Sequence, residues 1–107
     1  MRSAEIRVHG LPAGRFEELE ARRSYRFTYH PGYGGPPVSL TMPVRGSPYV
    51  FDGFPPFLDG LLPEGPQLEA LLRLRKLDRD DLFGQLIVLG GDMVGAVTAH
   101  LEAGTPG

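Results

Sequence analysis

Short stretches of alternating apolar and polar residues run through the first half of the chain, a pattern typical of half-buried β-strands. Residues 5–9 alternate in this way, and residues 24–30 do so most clearly. In the second stretch Tyr25, Phe27 and Tyr29 fall on one face, where aromatic side chains suit the packed surface of a sheet. The two stretches therefore predict two strands.

The segments around these strands are less regular. Residues 11–14 contain a proline and a glycine and predict a turn. Residues 15–21 fit a strand or a short helix, and we favour a strand because a hairpin from residue 5 needs a partner. After a loop rich in glycine and proline, residues 38–43 predict a short strand closed by a proline, and residues 49–51 predict a brief extended piece.

Apolar residues recur at helical spacing in the second half of the chain. One helical face contains Phe57, Leu58, Leu61 and Leu62. A second helix is predicted from near Gln67 to about Lys76, and its apolar side consists of Leu68, Leu71 and Leu72.

A third helix is predicted to follow Asp78, a good N-cap residue, with Asp81 in its first turn near the positive helix end. Its buried face contains four apolar residues, Leu82, Phe83, Leu86 and Ile87. The pair Gly90-Gly91 is expected to end this helix, and residues 93–101 predict a return strand. The order indicates one α+β domain over residues 1–107, with a small antiparallel sheet covered on one face by about three helices.

Composition narrows the class of protein. The chain has 107 residues and no cysteine, which excludes a disulfide scaffold, a thiolate metal site and a cysteine nucleophile. No apolar run approaches the roughly 18 residues that span a membrane, and the N-terminus shows no signal-peptide core. We therefore expect a soluble cytoplasmic protein. Its formal net charge of −2 gives no strong attraction to nucleic acid.

Candidate catalytic chemistry is sparse. His9, His30 and His100 lack the spacing of metal ligands, and no serine lies in a Gly-x-Ser-x-Gly motif. Helix capping explains the pair Asp80-Asp81 better than acid–base catalysis does, and the glycine-rich stretch 90–96 lacks the signatures of a phosphate loop. We expect no catalytic residue, no metal and no cofactor.

The aromatic strand allows two interpretations. Its rings could stack on bases while nearby arginines hold phosphates. Alternatively, the aromatic face is the one that a small sheet buries, and we favour this interpretation.

Five short motifs follow one another along nearly the whole chain: Phe27-x-Tyr29, Ser39-Leu40-Thr41-Met42-Pro43, Phe57-Leu58-Asp59-Gly60-Leu61-Leu62-Pro63-Glu64-Gly65, Asp80-Asp81-Leu82-Phe83, and Gly90-Gly91-Asp92-Met93-Val94-Gly95-Ala96. Together they resemble the N-terminal subdomain of the HipA family of toxin kinases. Members of that family continue into a kinase core, whereas this chain ends just after the return strand, without the ATP loop, catalytic loop and metal-binding acids. Free-standing proteins of this shape resemble HipS, the small component of tripartite HipB-HipS-HipT systems.

The resemblance implies a non-catalytic antitoxin that docks on a HipT-like kinase, with a HipB-like DNA-binding protein as a further partner through the complex. Our own hypothesis is that the partner-facing edge is the corner made of Pro63, Glu64, Gly65, Pro66 and Gln67. Capping explains each of these residues singly, but not why a rigid acidic corner separates two apolar helices. Two alternatives stay open: a nucleic-acid-binding accessory of a repressor, and an N-terminal domain excised from a HipA-like kinase.

Overall fold

The computed structural model describes residues 2–89 and 96–101. Within these ranges the strands are β1 (Ser3–Val8), β2 (Leu11–Glu20), β3 (Ser24–Tyr29), β4 (Tyr49–Asp52) and β5 (Val97–Leu101), and the helices are α1 (Pro56–Asp59), α2 (Gly65–Arg75) and α3 (Leu82–Leu89). The strands form one antiparallel sheet in the order β4-β3-β2-β1-β5. The return strand therefore pairs with β1, and the predicted α+β fold is confirmed.

One face of the sheet forms the core. Strands β1 and β3 bury every second residue, and the buried apolar residues of the sheet are Ala4, Ile6, Val8, Ala13, Phe16, Tyr25, Phe27, Tyr29 and Ala99. The Phe16 ring stacks on those of Tyr25 and Phe83, with both centroid distances 5.5 Å. Because the three rings of β3 lie inside this core, the interpretation in which they stack on bases is wrong.

The first hairpin turns earlier than the pattern predicts. Strand β2 already covers residues 11–14, so the turn predicted there is wrong, whereas the strand favoured for residues 15–21 is confirmed. The chain reverses instead at His9 and Gly10, whose φ angles are 51° and 79°. Two successive positive φ angles are the requirement of a type I′ turn, which matches the twist of the flanking strands.

The strand predicted at residues 38–43 is also wrong. A turn takes its place, in which the Met42 N–H donates to the Ser39 carbonyl at 3.0 Å. The buried Tyr29 hydroxyl holds both sides of this turn, since it accepts from the Val38 N–H at 2.9 Å and donates to the Met42 carbonyl at 2.5 Å. The prolines that flank the turn have no backbone N–H to donate. The Tyr29 hydroxyl provides the hydrogen bonds that a neighbouring strand would otherwise provide.

The apolar run that precedes the corner is helical only over α1. Beyond α1 it continues as turns, in which the Leu61 N–H donates to the Leu58 carbonyl at 3.0 Å. Leu58 and Leu62 are buried, and Phe57 and Leu61 pack against the core. The run thus covers the sheet as predicted, although only its first part, α1, is regular helix.

Helix α3 begins after Asp81 rather than after Asp78. The Asp81 carboxylate accepts a hydrogen bond from the Gly84 N–H at 3.1 Å and so caps the helix. The predicted cap is therefore wrong, and Asp78 instead pairs with Arg22 at 2.9 Å.

The buried face predicted for α3 is confirmed. Phe83 and Leu86 are buried, while Leu82 and Ile87 pack against the core. The glycine stop predicted at residues 90–91 and the start of the predicted return strand, residues 93–95, lie outside the described residues.

Candidate partner-binding surface

An ion network fastens α3 to the sheet. The Arg2 guanidinium donates two hydrogen bonds of 2.9 Å to the carboxylate of Glu18 in β2 and two more, of 2.8 and 3.2 Å, to that of Asp81. It also lies over the Phe83 ring, with 4.9 Å between the guanidinium carbon and the ring centroid. One cation therefore joins the N-terminus, β2 and the start of α3.

This network shifts the pKa of its members. Hydrogen bonds to Glu18 and Asp81 raise the pKa of Arg2 above its ordinary value. Burial alone would raise the pKa of the Asp81 carboxyl, but hydrogen bonds from Arg2 and the Gly84 N–H, together with the Arg2 charge, outweigh it and lower that pKa. The cap of α3 is consequently an ionised carboxylate at neutral pH.

A buried amide also holds α3. Gln85 is 1% exposed, and its side-chain nitrogen donates to the carbonyls of Asp78 at 3.3 Å and Arg79 at 3.0 Å. These carbonyls belong to the connection between α2 and α3, so the amide anchors that connection as well.

Helix α2 is attached differently. None of its residues is buried, and its leucines are not among the described residues that form the core or pack against it. The helix is instead held by contacts at its C-terminal end and with the connection that follows it. Lys76, with a left-handed backbone (φ 54°), donates its N–H to the Leu72 carbonyl, and Glu69 pairs with Arg79 of the following connection. The helix thus lies at the edge of the molecule.

The five candidate residues form the N-terminal corner of α2. Glu64 occupies the N-cap position with an extended backbone, and Gly65 opens the helix with a φ of 60° that side chains disfavour. Glu64, Gly65, Pro66 and Gln67 are exposed, whereas Pro63 is half-buried. The Glu64 side chain makes no capping hydrogen bond to this helix, so the described corner presents an acid to solvent.

The outward side of α2 continues from this corner. Gln67, Ala70 and Leu74 are all exposed, and their spacing places them on one helical face. Leu74 is 80% exposed, although leucine is usually a core residue. Sequence reasoning named the inner leucines of this helix and missed Leu74. The sequence did contain a signal, because Leu74 is apolar but does not lie on the apolar side of the predicted helix.

The uncovered face of the sheet carries paired charges. Arg7 contacts Glu5 at 2.8 Å and Arg26 contacts Glu17 at 2.9 Å. The His30 ring lies 3.7 Å from Glu5. Because opposite charges alternate across it, the described part of this face gives no uniformly basic path for a nucleic-acid backbone.

The remaining chemistry of the described residues is limited. His9 lies in the first hairpin turn, whereas His100 lies in β5, where its Nε2 is 3.0 Å from the Thr98 hydroxyl. Across residues 2–89 and 96–101 no group of three or more histidine, aspartate or glutamate side chains is placed to hold a metal ion. The helices in these ranges are all too short or too polar to span a bilayer.

Comparison with known proteins identifies the family. Residues 4–100 match the family model of the HipA N-terminal domain. The solved structure of the N-terminal domain of HipA toxin superposes with a TM-score of 0.77 and 31% sequence identity, covering 98% of this chain and 96% of that chain. An uncharacterized protein of Haemophilus influenzae is 33% identical over 102 residues, which are 95% of this chain and 94% of that protein. The chain therefore belongs to the family of HipA N-terminal domains.

Proposed function

We propose that this chain is the antitoxin of a toxin–antitoxin system, and that it binds and neutralises a HipT-like serine/threonine kinase without catalysing a reaction. The observation that carries the proposal is the match of nearly the whole chain to a domain found at the N-terminus of a toxin. A domain that is fused to a kinase in one protein can dock, as a separate chain, through the same surface. Docking of this kind biases the kinase toward its active or inactive state.

The corner from Pro63 to Gln67 is the part of the surface that we assign to the kinase. It projects an exposed carboxylate, Glu64, from a backbone that two prolines restrict. A restricted backbone has little conformational entropy to lose on binding. In this account the corner faces the nucleotide-site region of the kinase and inhibits by occupying space there. A HipB-like protein joins the assembly only by binding to the complex of this chain with the kinase.

The experiment uses a HipT-like kinase without an N-terminal domain of its own, encoded next to this chain. Kinase activity is measured as the purified chain is added, and we expect inhibition that saturates at one chain per kinase. In the test variant Ser-Gly-Ser replaces Glu64-Gly65-Pro66. This variant keeps the glycine at the positive φ angle and a serine at the N-cap, so the fold should persist while the rigid acidic corner is lost. We expect inhibition about tenfold weaker.

A matched control replaces Gly46-Ser47-Pro48 by Ser-Gly-Ser. This segment is also exposed and also contains one glycine and one proline, and its replacement should leave inhibition unchanged. Kinase activity that the wild-type chain does not affect would overturn the proposed function. Full inhibition by the corner variant would remove only the corner from it.

The nucleic-acid alternative is tested with the same protein. An accessory that reads or holds operator DNA should shift an operator fragment in a gel, and the shift should weaken steeply with salt. We expect no shift, because the aromatic rings of β3 are buried and the arginines Arg7 and Arg26 on the open sheet face are paired with acids.

A further inference from the structure

We infer that the outward face of α2 is a second part of the docking surface, and that Leu74 enters an apolar pocket of the partner beside a carboxylate. We define this face by its exposed residues Gln67, Ala70, Arg73 and Leu74. The inference rests on the proposed function and deepens it. It assigns binding to a ridge beyond the corner and states the chemistry that the partner must offer.

The first support is the poor burial of α2. The helix has 11 residues and buries none of them, whereas the shorter α3 buries Phe83, Gly84, Gln85 and Leu86. Isolated helices shorter than about 12–15 residues are marginal in water, and most helices gain their stability from tertiary packing. The inner leucines of α2 are half-buried, so a partner on the outward side would complete its packing.

The second support is the shape of the outward face. At a rise of about 1.5 Å per residue, the seven residue steps from Gln67 to Leu74 span roughly 10 Å. The short side chain of Ala70 lies midway along this ridge, where it lets a partner backbone come close. Leu74, at 80% exposure, stands at the far end from the corner and is the natural anchor. The corner and the ridge are therefore one continuous surface.

Charge indicates the chemistry around the anchor. Arg73, Arg75 and Lys76 lie at the end of α2, while the acid of the helix, Glu69, is paired with Arg79. The last turn of α2, which contains Leu74, is therefore basic. A carboxylate of the partner, placed beside the pocket that accepts Leu74, best complements the charge of Arg73.

The ridge alone is too small to form a stable interface. A helix of 11 residues is roughly 16 Å long and about 10 Å across, so one face offers a few hundred Å² at most. Stable interfaces bury about 800 Å² on each partner. The ridge must therefore share one interface with the adjoining corner, and the partner that occupies the corner in the proposed function is the kinase.

The test compares two exposed leucines. Leu74→Ser alters the ridge, and the matched control Leu40→Ser alters a leucine that is 98% exposed in the turn held by Tyr29. Each variant is titrated calorimetrically into the HipT-like kinase that the wild-type chain binds, and its folding is checked by urea unfolding. We expect Leu74→Ser to weaken binding about tenfold or more, as loss of a buried anchor does, and Leu40→Ser to leave it unchanged.

A charge reversal adds a second readout. Arg73→Glu should weaken binding and reduce its dependence on salt, because a rim charge acts mainly through long-range attraction. Wild-type affinity in both Leu74→Ser and Arg73→Glu would overturn this inference and leave the proposed function standing. Failure of the wild-type chain to bind the kinase would overturn both. A dimer of the free chain that Leu74→Ser dissociates would instead identify a second copy as the occupant and overturn the inference.

Discussion

Helices α2 and α3 are neighbours in sequence and differ in almost every physical respect. An ionised carboxylate caps helix α3, and the Arg2 network joins the start of this helix to the sheet. Its Phe83 and Leu86 side chains are buried in the core. Helix α2 is longer, contributes no buried residue, and shows Leu74 to solvent. We infer from this contrast that α3 maintains the fold, whereas α2 and its corner are available to a partner.

The largest effect on stability is expected at the centre of the core. Phe83 is fully buried and its ring stacks on Phe16, so Phe83→Ala should lower the free energy of unfolding by about 3–5 kcal/mol. Leu74→Ala, on the exposed side of α2, should change it by less than about 0.5 kcal/mol. Urea unfolding followed by circular dichroism measures both. Equal losses in the two variants would refute the division between the helices.

A smaller loss is expected when the shared cation is removed. Arg2→Met should cost about 2–3 kcal/mol, because it leaves the carboxylates of Glu18 and Asp81 without their common partner near the core. The value lies below that of a fully buried pair because Arg2 is partly exposed. The matched variant Arg73→Met removes an exposed arginine of α2 and should be nearly neutral in the same urea measurement. A neutral Arg2→Met would show that the network contributes nothing to stability.

Acid should lower the free energy of unfolding by a smaller amount, because it weakens the contacts that Asp81 makes at the start of α3. The pKa of Asp81 in the folded chain lies below its ordinary value of 3.8. Its ionisation therefore stabilises the fold fully above that ordinary value, and the contribution is lost as the pH falls through the lower folded value. Asp81→Asn keeps a capping side chain and removes the charge.

The stability difference between wild type and Asp81→Asn should therefore be largest near pH 7 and shrink below pH 4. Urea midpoints across this range give the comparison. A difference that stays constant down to pH 2.5 would contradict a role for the charge.

The sequence predicted those elements whose signal is local and periodic. The alternation at Tyr25, Phe27 and Tyr29 identified β3 and its buried face, and the helical spacing of Phe83 and Leu86 identified the inner side of α3. The position of the corner at the start of a helix also followed from its proline and glycine. Its role in binding stays a prediction.

The elements that were wrong depend on contacts between distant residues. No local pattern shows that the Tyr29 hydroxyl would take over the hydrogen bonds of Val38 and Met42, which turned a predicted strand into a turn. Likewise, Arg2 and Asp81 are 79 positions apart, so the network that favours Asp81 over Asp78 as the cap could not be read from spacing. Helical periodicity also does not report how deeply a helix is buried, which is why the exposure of α2 was missed.

Amide hydrogen exchange of the chain, with and without a saturating HipT-like kinase, shows directly whether α2 or α3 faces the partner. Exchange reports local opening, so it separates the two helices within one experiment. We expect the kinase to slow exchange in residues 64–75 and to leave exchange in residues 82–89 unchanged. Slower exchange confined to residues 82–89, or no change anywhere in the chain, would contradict this expectation.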